Sequence, residues 1–170
     1  MIMDDQASER LSEAQQHLRV LRRIHRELSD SNVEWAVTAG MSLYLQGLPV
    51  EPQDIDLRTD EAGAYEIERR FGRFVIKPVA SACGERIRSH FGALLIDGIK
   101  VEIIGDPETR EAGGTWAACH DWKERKLYVE LSGQRIPVLP LELEYEQYVA
   151  MGRIEKAALL KDCLGGNAGK

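Results

Sequence analysis

Apolar side chains recur every three or four positions near the start of the chain, which is the spacing of one face of an α-helix. The members of this face are Leu11, Leu18, Leu21, Ile24 and Leu28. Ser12, with Gln15 three residues later, has the pattern of a capping box, in which two side chains satisfy the first free backbone N–H groups of a helix. The pattern therefore predicts a first helix over about 12–28.

Shorter apolar segments follow, separated by residues that favour turns. The predicted elements are, in chain order, a strand over 33–38, a helix over 41–46, a strand over 54–58, a helix over 62–71, a strand over 74–80, a hairpin over 91–104 and a hairpin over 127–139. Asp97-Gly98 is the turn of the first hairpin. Pro140 opens a last helix, which Gly152 is expected to bend and Gly165 to end.

This order of elements predicts one mixed β-sheet flanked by helices, in the α/β (α+β) class. The chain has 170 residues, an ordinary size for one domain. We find no repeat, linker or low-complexity segment that would divide it. We therefore expect a single domain over 1–170, with a core over about 12–140 and a C-terminal helix over about 141–164.

The composition indicates which kinds of partner this protein is not expected to bind. Lys and Arg number 22 against 28 Asp and Glu, which gives a net charge of −6, so general nucleic-acid binding is not expected. Cys83, Cys119 and Cys163 are far apart and form no C-x-x-C pair. The chain has neither a signal-like start nor an apolar run of membrane-spanning length. These features predict a cytoplasmic protein with reduced thiols and no membrane partner.

Two acids mark the strand predicted over 54–58. Alternate side chains of a strand share a face, so Asp54, Asp56 and Arg58 are expected to point one way and Ile55 and Leu57 the other. Two neighbouring carboxylates repel each other unless a hard cation lies between them, and Mg²⁺ takes carboxylate and phosphate oxygens as ligands. A solvated edge strand would also explain this D-x-D pattern taken alone.

A third acid, Glu102, stands between apolar residues in the strand predicted for 99–104. A lone carboxylate is costly to bury there. The cost is accounted for if Glu102 faces the same cation from a neighbouring strand. The sequence combines three features: the D-x-D pattern, a later acid on a strand and the small-residue turn Ala39-Gly40. This combination indicates a functional site more specifically than any one of the features alone.

These residues resemble the signature of the DNA polymerase β-like nucleotidyltransferase superfamily, in which a Gly-Gly or Gly-Ser turn and a short helix precede D-x-D. The segments that resemble small stand-alone nucleotidyltransferase-like proteins are 35–47, 54–68, 89–105 and 148–164. They cover most of the chain. The resemblance implies an enzyme that moves a nucleoside monophosphate from a nucleoside triphosphate (NTP, such as ATP) to a hydroxyl acceptor and releases pyrophosphate.

The resemblance also assigns the acids. Asp54, Asp56 and Glu102 correspond to catalytic residues that ligate Mg²⁺ or Mn²⁺. Glu102 would in addition help to deprotonate the acceptor hydroxyl. Such a reaction depends on positioning and charge neutralisation more than on covalent help from the protein.

A nucleotide-binding set is implied as well, and it consists of Ala39, Gly40, Ser42 and Arg58. Ala39 departs from the family pattern because it stands where the first Gly is expected. We expect its methyl group to point into the core beside Val37, so that Gly40 alone supplies the flexible backbone of the turn. On that expectation, Ala39→Gly lowers stability slightly through chain entropy.

Several alternatives stay open. Arg88, Arg153 and Lys156 are further candidates for phosphate contacts, and His90 lies in a family-like segment without an assigned role. The acceptor is a small hydroxyl compound, an RNA end or a protein side chain, and a homodimer would help so short a chain to recognise it. Ala39 favours a catalytically lapsed nucleotide-binding or antitoxin-like interaction protein. A sugar-nucleotide glycosyltransferase also uses D-x-D, but the turn before the motif and the short chain argue against that class.

Overall fold

The structure, a computed structural model, describes residues 2–118 and 121–168, so Cys119 lies outside the described residues. The α-helices are α1 Ile2–Leu28, α2 Ala39–Leu45, α3 Glu61–Arg70, α4 Trp122–Arg125, α5 Leu141–Ala150 and α6 Ile154–Ala168. The strands are β1 Trp35–Thr38, β2 Ile55–Thr59, β3 Val75–Cys83, β4 Ile87–Ile96, β5 Ile99–Arg110, β6 Trp116–Ala118, β7 Leu127–Leu131 and β8 Gln134–Val138.

The strands of the described chain form one mixed sheet. Its order is β3-β4-β5-β2-β1-β8-β7, and β6 pairs with β5 outside this path. β2 runs parallel to β5, and β1 runs parallel to β8. The hairpins β4–β5 and β7–β8 are antiparallel and adjacent in the chain. The expected fold class, a mixed sheet flanked by helices, is confirmed.

One face of the sheet packs against α1 and α3 and forms the main core. Alternation along β2 places Ile55 and Leu57 in this core, and β5 contributes Val101 and Ile103 in the same way. The helix residues buried against them include Leu21, Ile24, Ala64 and Ile67. Burying these side chains fixes the register of β2 and β5, because a slip of one residue would turn every apolar side chain outward.

The opposite face of the sheet is covered over the β1–β8 half by α4 and α5. Ala36, Trp122, Leu139 and Leu143 form a second buried cluster there. A third cluster joins α2 to the C-terminal helices, with Tyr148 as its largest member. The side chains of β2 that point away from the main core therefore face towards α5.

The C-terminal segment differs from the expected single helix. It forms α5 and α6, with a break at Gly152, whose φ of 73° lies in the left-handed region that an α-helix cannot continue through. α6 continues to Ala168, past Gly165, because glycine weakens a helix without necessarily ending it.

Two further elements were not predicted. β6 and α4 are only three and four residues long, too short for a periodic pattern to stand out.

α1 begins at Ile2, earlier than expected, and β5 extends to Arg110 across Pro107. Among the helices of the described chain, none has the combination of length and apolar character that crossing a bilayer requires.

Candidate active site

The two central acids come from neighbouring strands. Asp56 on β2 pairs with Glu102 on β5 in parallel register. Paired residues of adjacent strands project from the same face of a sheet, so both carboxyl groups lie on the face opposite to the main core. Asp54 immediately precedes β2. The strand pairing brings together the acids on which the sequence interpretation depends.

The acids perturb one another. Burial is the main cause that raises the pKa of Asp56 from 3.8 to about 7, followed by the charge of Glu102 and its hydrogen bond, and then by the charges of Asp54 and Glu144. The Oδ1 atom of Asp56 is buried and accepts no hydrogen bond from the described residues. An acceptor oxygen held in this way among other acids is an electrostatic environment that favours a cation.

Lys100 supplies one positive charge to this cluster. Its Nζ atom lies 3.0 Å from Oε1 of Glu102. The hydrogen bond to Glu102, followed by the charges of Glu102 and Asp54, raises the pKa of Lys100 above its usual value. Sequence interpretation missed this residue, although its position two residues before Glu102 on the same strand places it on the same face.

Asp54 and Asp56 line a cavity of about 370 Å³ beside the α2 turn. The turn contributes Ala39 and Gly40, and the C-terminal segment contributes Tyr148, Arg153 and Lys156. The other lining residues are Leu43, Leu48, Val50, Glu51, Gln53, Leu159 and Leu160. The volume lies within the range of small-molecule sites. Two candidate phosphate cations, Arg153 and Lys156, thus line the same cavity as the D-x-D acids.

The α2 turn corrects the expectation for Ala39. Ala39 has a φ of 58°, whereas Gly40 is not among the residues with positive φ. It is therefore Ala39, and not Gly40, that adopts the left-handed conformation. Gly40 has another use, because no atom lies within 4 Å of the place where a Cβ at this position would project. The absence of a side chain at Gly40 keeps that part of the cavity wall open.

A further acid, Glu144 on α5, reaches the same turn. Its Oε1 atom accepts a 2.6 Å hydrogen bond from the Thr38 hydroxyl and a 3.1 Å hydrogen bond from the Ala39 N–H. Burial raises the pKa of Glu144 to about 7, while these hydrogen bonds and the charge of Arg58 act in the opposite direction. Sequence interpretation missed Glu144, because a contact between positions 105 residues apart leaves no local pattern.

Ser42 and Arg58 lie outside this cavity. The Ser42 hydroxyl is fully buried and donates a 3.2 Å hydrogen bond to the Leu139 carbonyl. Arg58 is also buried, and its guanidinium lies 5.5 Å from the centre of the Trp122 ring. The structure therefore gives Ser42 an internal hydrogen bond and places Arg58 against Trp122, outside the lining of this cavity.

The donor set suits a hard divalent cation, although it does not form a complete cage. Within residues 2–118 and 121–168, no three His, Cys, Asp or Glu side chains are arranged to hold a metal ion. Asp56 and Glu102 are in contact, Asp54 acts on Asp56 through its charge, and the buried Asp56 Oδ1 has a free acceptor position in this part of the chain. Carboxylate oxygens are the ligands that Mg²⁺ and Mn²⁺ prefer. The residues present fit such an ion.

A larger cleft of about 830 Å³ lies beyond Arg58 and does not reach the acids. It contains Arg88, which bonds Glu108 at 3.1 Å, and Lys123, which bonds Asp60 at 2.7 Å. His90 also lines this cleft, where its ring lies near that of Tyr65. Arg88 and His90, left open by the sequence, therefore belong to this cleft and not to the D-x-D cavity.

The mixed sheet, the α2 turn and the paired acids define a nucleotidyltransferase. The family model of the aminoglycoside-2''-adenylyltransferases matches residues 20–159. The chain belongs to that family. Both the family and the structural neighbours consist of nucleotidyltransferases, which confirms the expected class of enzyme.

Solved structures agree with this family. The TM1012 protein of Thermotoga maritima, assigned as a nucleotidyltransferase, is 52% identical, with a TM-score of 0.78, and the match covers 89% of this chain and 94% of that one. ANT(2'')-Ia in complex with adenylyl-2''-tobramycin is 12% identical, with a TM-score of 0.61 over 90% of this chain and 92% of that one. Lincomycin-bound LnuA, a lincosamide adenylyltransferase, is 12% identical, with a TM-score of 0.50 over 81% and 95% of the two chains. The two matches of low identity show the fold alone. No curated protein matched the sequence.

Proposed function

We propose that this protein transfers a nucleoside monophosphate from an NTP to a hydroxyl group of a small acceptor, in a reaction that depends on Mg²⁺ or Mn²⁺. The observation that carries the proposal is the half-buried Asp56, whose Oδ1 atom is buried without a hydrogen bond from the described residues, which is in contact with Glu102, and which lines a cavity together with Arg153 and Lys156. A metal–triphosphate complex needs carboxylates for the ion and cations for the phosphates, and this cavity offers both.

The NTP would occupy the cavity of about 370 Å³. Its phosphates would approach the open backbone at Gly40 and the side chains of Arg153 and Lys156. Asp54, Asp56 and Glu102 would hold the divalent ion, which when bound neutralises charge on the attacking and leaving oxygens. Ser42 would support the turn from inside, through its hydrogen bond to the Leu139 carbonyl.

The transfer step forms one bond and breaks one. The acceptor oxygen bonds to the α-phosphorus, while the bond between that phosphorus and the bridging oxygen of the leaving group breaks and pyrophosphate departs. The acceptor proton moves to the carboxylate of Glu102. Lys100, 3.0 Å from that carboxylate, holds it in place.

The acceptor would enter from the cleft of about 830 Å³ beyond Arg58. Arg58, which lines this cleft, follows Asp56 by two residues on β2, so the two side chains share a face of the sheet and the cleft lies further along the same strand. Its lining carries acids, bases and the Trp122 ring, which suits a small polar compound with several hydroxyl groups. An aminoglycoside is the first such compound to test, because the matched family is described by that acceptor.

The test is pyrophosphate release by the purified protein. Each of the four NTPs is supplied with Mg²⁺ or Mn²⁺, together with an aminoglycoside, a lincosamide or the small-molecule fraction of a cell extract. We expect pyrophosphate release that requires the metal, one preferred NTP and an acceptor, with the labelled nucleoside monophosphate recovered on the acceptor. Release with one acceptor and not with another identifies the acceptor class.

Two variants make the test specific. Asp56→Asn removes one charge from the site and is expected to abolish release. Asp97→Asn makes the same chemical change at an exposed hairpin turn, where Asn also tolerates the positive φ of 49°, and is expected to leave release unchanged. If the wild-type protein binds an NTP but releases no pyrophosphate under any of these conditions, the result would instead support a lapsed nucleotide-binding protein.

A further inference from the structure

Glu144 is a buried acid for which the transfer step has no direct use. Its side chain is 1% exposed and comes from α5, whereas D-x-D comes from β2. Its Oε1 atom accepts both hydrogen bonds, one from the Thr38 hydroxyl and one from the Ala39 N–H. Hydrogen bonds offset the desolvation of a buried carboxyl group, so these two contacts, with the charge of Arg58, offset part of the cost of burying Glu144.

The turn that Glu144 contacts needs support from outside. Thr38 is the N-cap residue of α2, yet its side chain makes no capping hydrogen bond. The next residue, Ala39, has a φ of 58°. A non-glycine residue in the left-handed region costs about 1 kcal/mol, and such a conformation persists only where the surrounding structure holds it. The contacts with Glu144 are the side-chain hydrogen bonds to this turn that the structure shows.

We propose that Glu144 is a positioning residue that holds the left-handed turn at Thr38 and Ala39, and that it thereby shapes the wall of the nucleotide cavity. This inference rests on the proposed function, because it names the device that prepares the cavity for a nucleotide. Ala39 and Gly40 both line the cavity, so a change in the turn is a change in the cavity.

Tyr148 extends the same arrangement. It lies four residues after Glu144, one turn further along α5, and lines the cavity beside Ala39 and Gly40. α5 therefore delivers both the acceptor atom that holds the turn and one aromatic wall of the cavity. A displacement of α5 would change the turn and the wall together.

The contact requires an acceptor oxygen and does not require a negative charge. Both donors bond one oxygen, which the amide of glutamine also supplies. Glu144→Gln should therefore keep the turn, and Glu144→Ala should release it. If the charge of Glu144 were what mattered, the two variants would behave alike.

The first test is amide hydrogen exchange of the protein without a ligand. We expect Glu144→Ala to speed exchange in peptides that cover 37–42 by about tenfold or more, and to leave peptides of β4 and β5 unchanged. Glu144→Gln should match the wild-type protein. Glu142→Ala removes an exposed acid from the same helix and is the control. Equal exchange in Glu144→Ala and wild type would overturn the proposal.

The second test is calorimetric titration with Mg²⁺ and a non-hydrolysable ATP or GTP analogue. Glu144→Ala should weaken binding about tenfold, a change of about 1.4 kcal/mol, whereas Glu144→Gln should bind like wild type. Ala39→Gly in the Glu144→Ala background should recover part of the affinity, because glycine adopts a positive φ without support. If Glu144 had a purely structural role, Glu144→Ala would lower the melting temperature without changing the affinity for the analogue. That result would overturn the proposal.

Two results would limit the titration: a wild-type protein that does not bind, and a Glu144→Ala variant that does not fold. If the wild-type protein binds neither of these analogues nor those of CTP and UTP, the proposed function fails, and the exchange experiment still decides whether Glu144 holds the turn. If Glu144→Ala does not fold, Thr38→Val removes one of the two donors and should give a smaller change of the same sign in both experiments. Thr38→Val indistinguishable from wild type in both would count against the proposal.

Discussion

Ala39 adopts a φ of 58°, a conformation in which its Cβ crowds the following carbonyl oxygen. The sequence alone suggests the reverse arrangement, in which the neighbouring Gly40 takes the unusual backbone angle. The left-handed residue is instead the first of the pair, the position that glycine holds in the family signature. The departure from that signature is therefore a local strain, which hydrogen bonds from Thr38 and Ala39 to Glu144 help to hold.

The first prediction follows from this strain. Ala39→Gly is expected to raise the free energy of unfolding by up to about 1 kcal/mol, because relief of the left-handed alanine outweighs the added entropy of the unfolded chain. Urea titration of both proteins measures this change. Ala62→Gly, at an exposed position of α3, should lower stability by about 0.5 to 1 kcal/mol. A loss of stability in Ala39→Gly comparable to that control would contradict the prediction.

The second prediction concerns Asp56, whose pKa is raised from 3.8 to about 7, first by burial and then by Glu102. The folded state holds its proton at a pH where the unfolded state has released it. This contribution to the free energy of unfolding therefore falls as the pH rises from about 4 to about 7, and it stays low above that range. Without metal, Asp56→Asn should be more stable than wild type at pH 8 by roughly 1 to 3 kcal/mol and equal to it near pH 4.

The measurement is urea unfolding in EDTA at several pH values between 4 and 8. Asp97→Asn, which changes an exposed aspartate, should show the wild-type pH dependence. An Asp56→Asn curve parallel to that of wild type over the whole range would mean that Asp56 does not resist ionisation in the folded protein.

How far these residues could be predicted depends on the range of their contacts. Strand alternation is local, so it predicted that Asp56 faces away from Ile55 and Leu57, and it could have identified Lys100 beside Glu102. The contact of Glu144 with Ala39 joins α5 to α2 across most of the chain. No local pattern encodes such a contact, and only the packing of α5 against the sheet reveals it.

At the scale of elements, the break between α5 and α6 positions the cavity wall. Tyr148 lies before the break, and Arg153 and Lys156 follow it, yet all three line the same cavity. A continuous helix would carry the two cations along the axis of α5. The left-handed Gly152 changes the direction of the chain, so this one glycine places the basic residues in the same cavity as the acids.

The third prediction tests this break. Gly152→Ala is expected to lower stability by about 1 kcal/mol or more, because alanine resists the φ of 73°, while the flexible end of the Arg86 side chain can move away from the added Cβ at little cost. It should also weaken triphosphate binding by displacing Arg153. Gly165→Ala is the control, since that site lies in α6 with no atom within 4 Å of an added Cβ. The control should be neutral or slightly stabilising, and similar results for both variants would contradict the role of Gly152.

The elements that the sequence did predict are those with a long periodic pattern. The helix face with Leu21 and Ile24 and the two hairpins carry their own signals of spacing and turn chemistry. β6 and α4 do not, because three or four residues are too few for a periodic pattern to stand out. Trp122 of α4 is nevertheless part of a buried cluster with Ala36, so short elements can supply core residues that periodicity does not identify.

At the scale of the whole molecule, the sheet separates two tasks. The face towards α1 and α3 is a closed apolar core, whereas the opposite face carries the acids and the cavity that Asp54 and Asp56 line. Stability therefore depends mainly on the first face. Charges can be concentrated on the second face, where like charges such as those of Asp56 and Glu102 reduce stability.

This separation leads to the last prediction, which concerns linkage between ligand binding and folding. A ligand that binds only the folded state raises the free energy of unfolding, by about 2.7 kcal/mol at a concentration one hundred times its dissociation constant. On the proposed function, Mg²⁺ relieves the repulsion between the acids, and an NTP binds through both the ion and the cations Arg153 and Lys156. We expect the two together to raise the melting temperature by several degrees, and each alone to raise it much less. Asp56→Asn should abolish the joint effect, whereas Asp97→Asn should retain it. An equal shift from NTP alone in the presence of EDTA would show that the nucleotide is bound without the metal, and it would remove D-x-D from the nucleotide site.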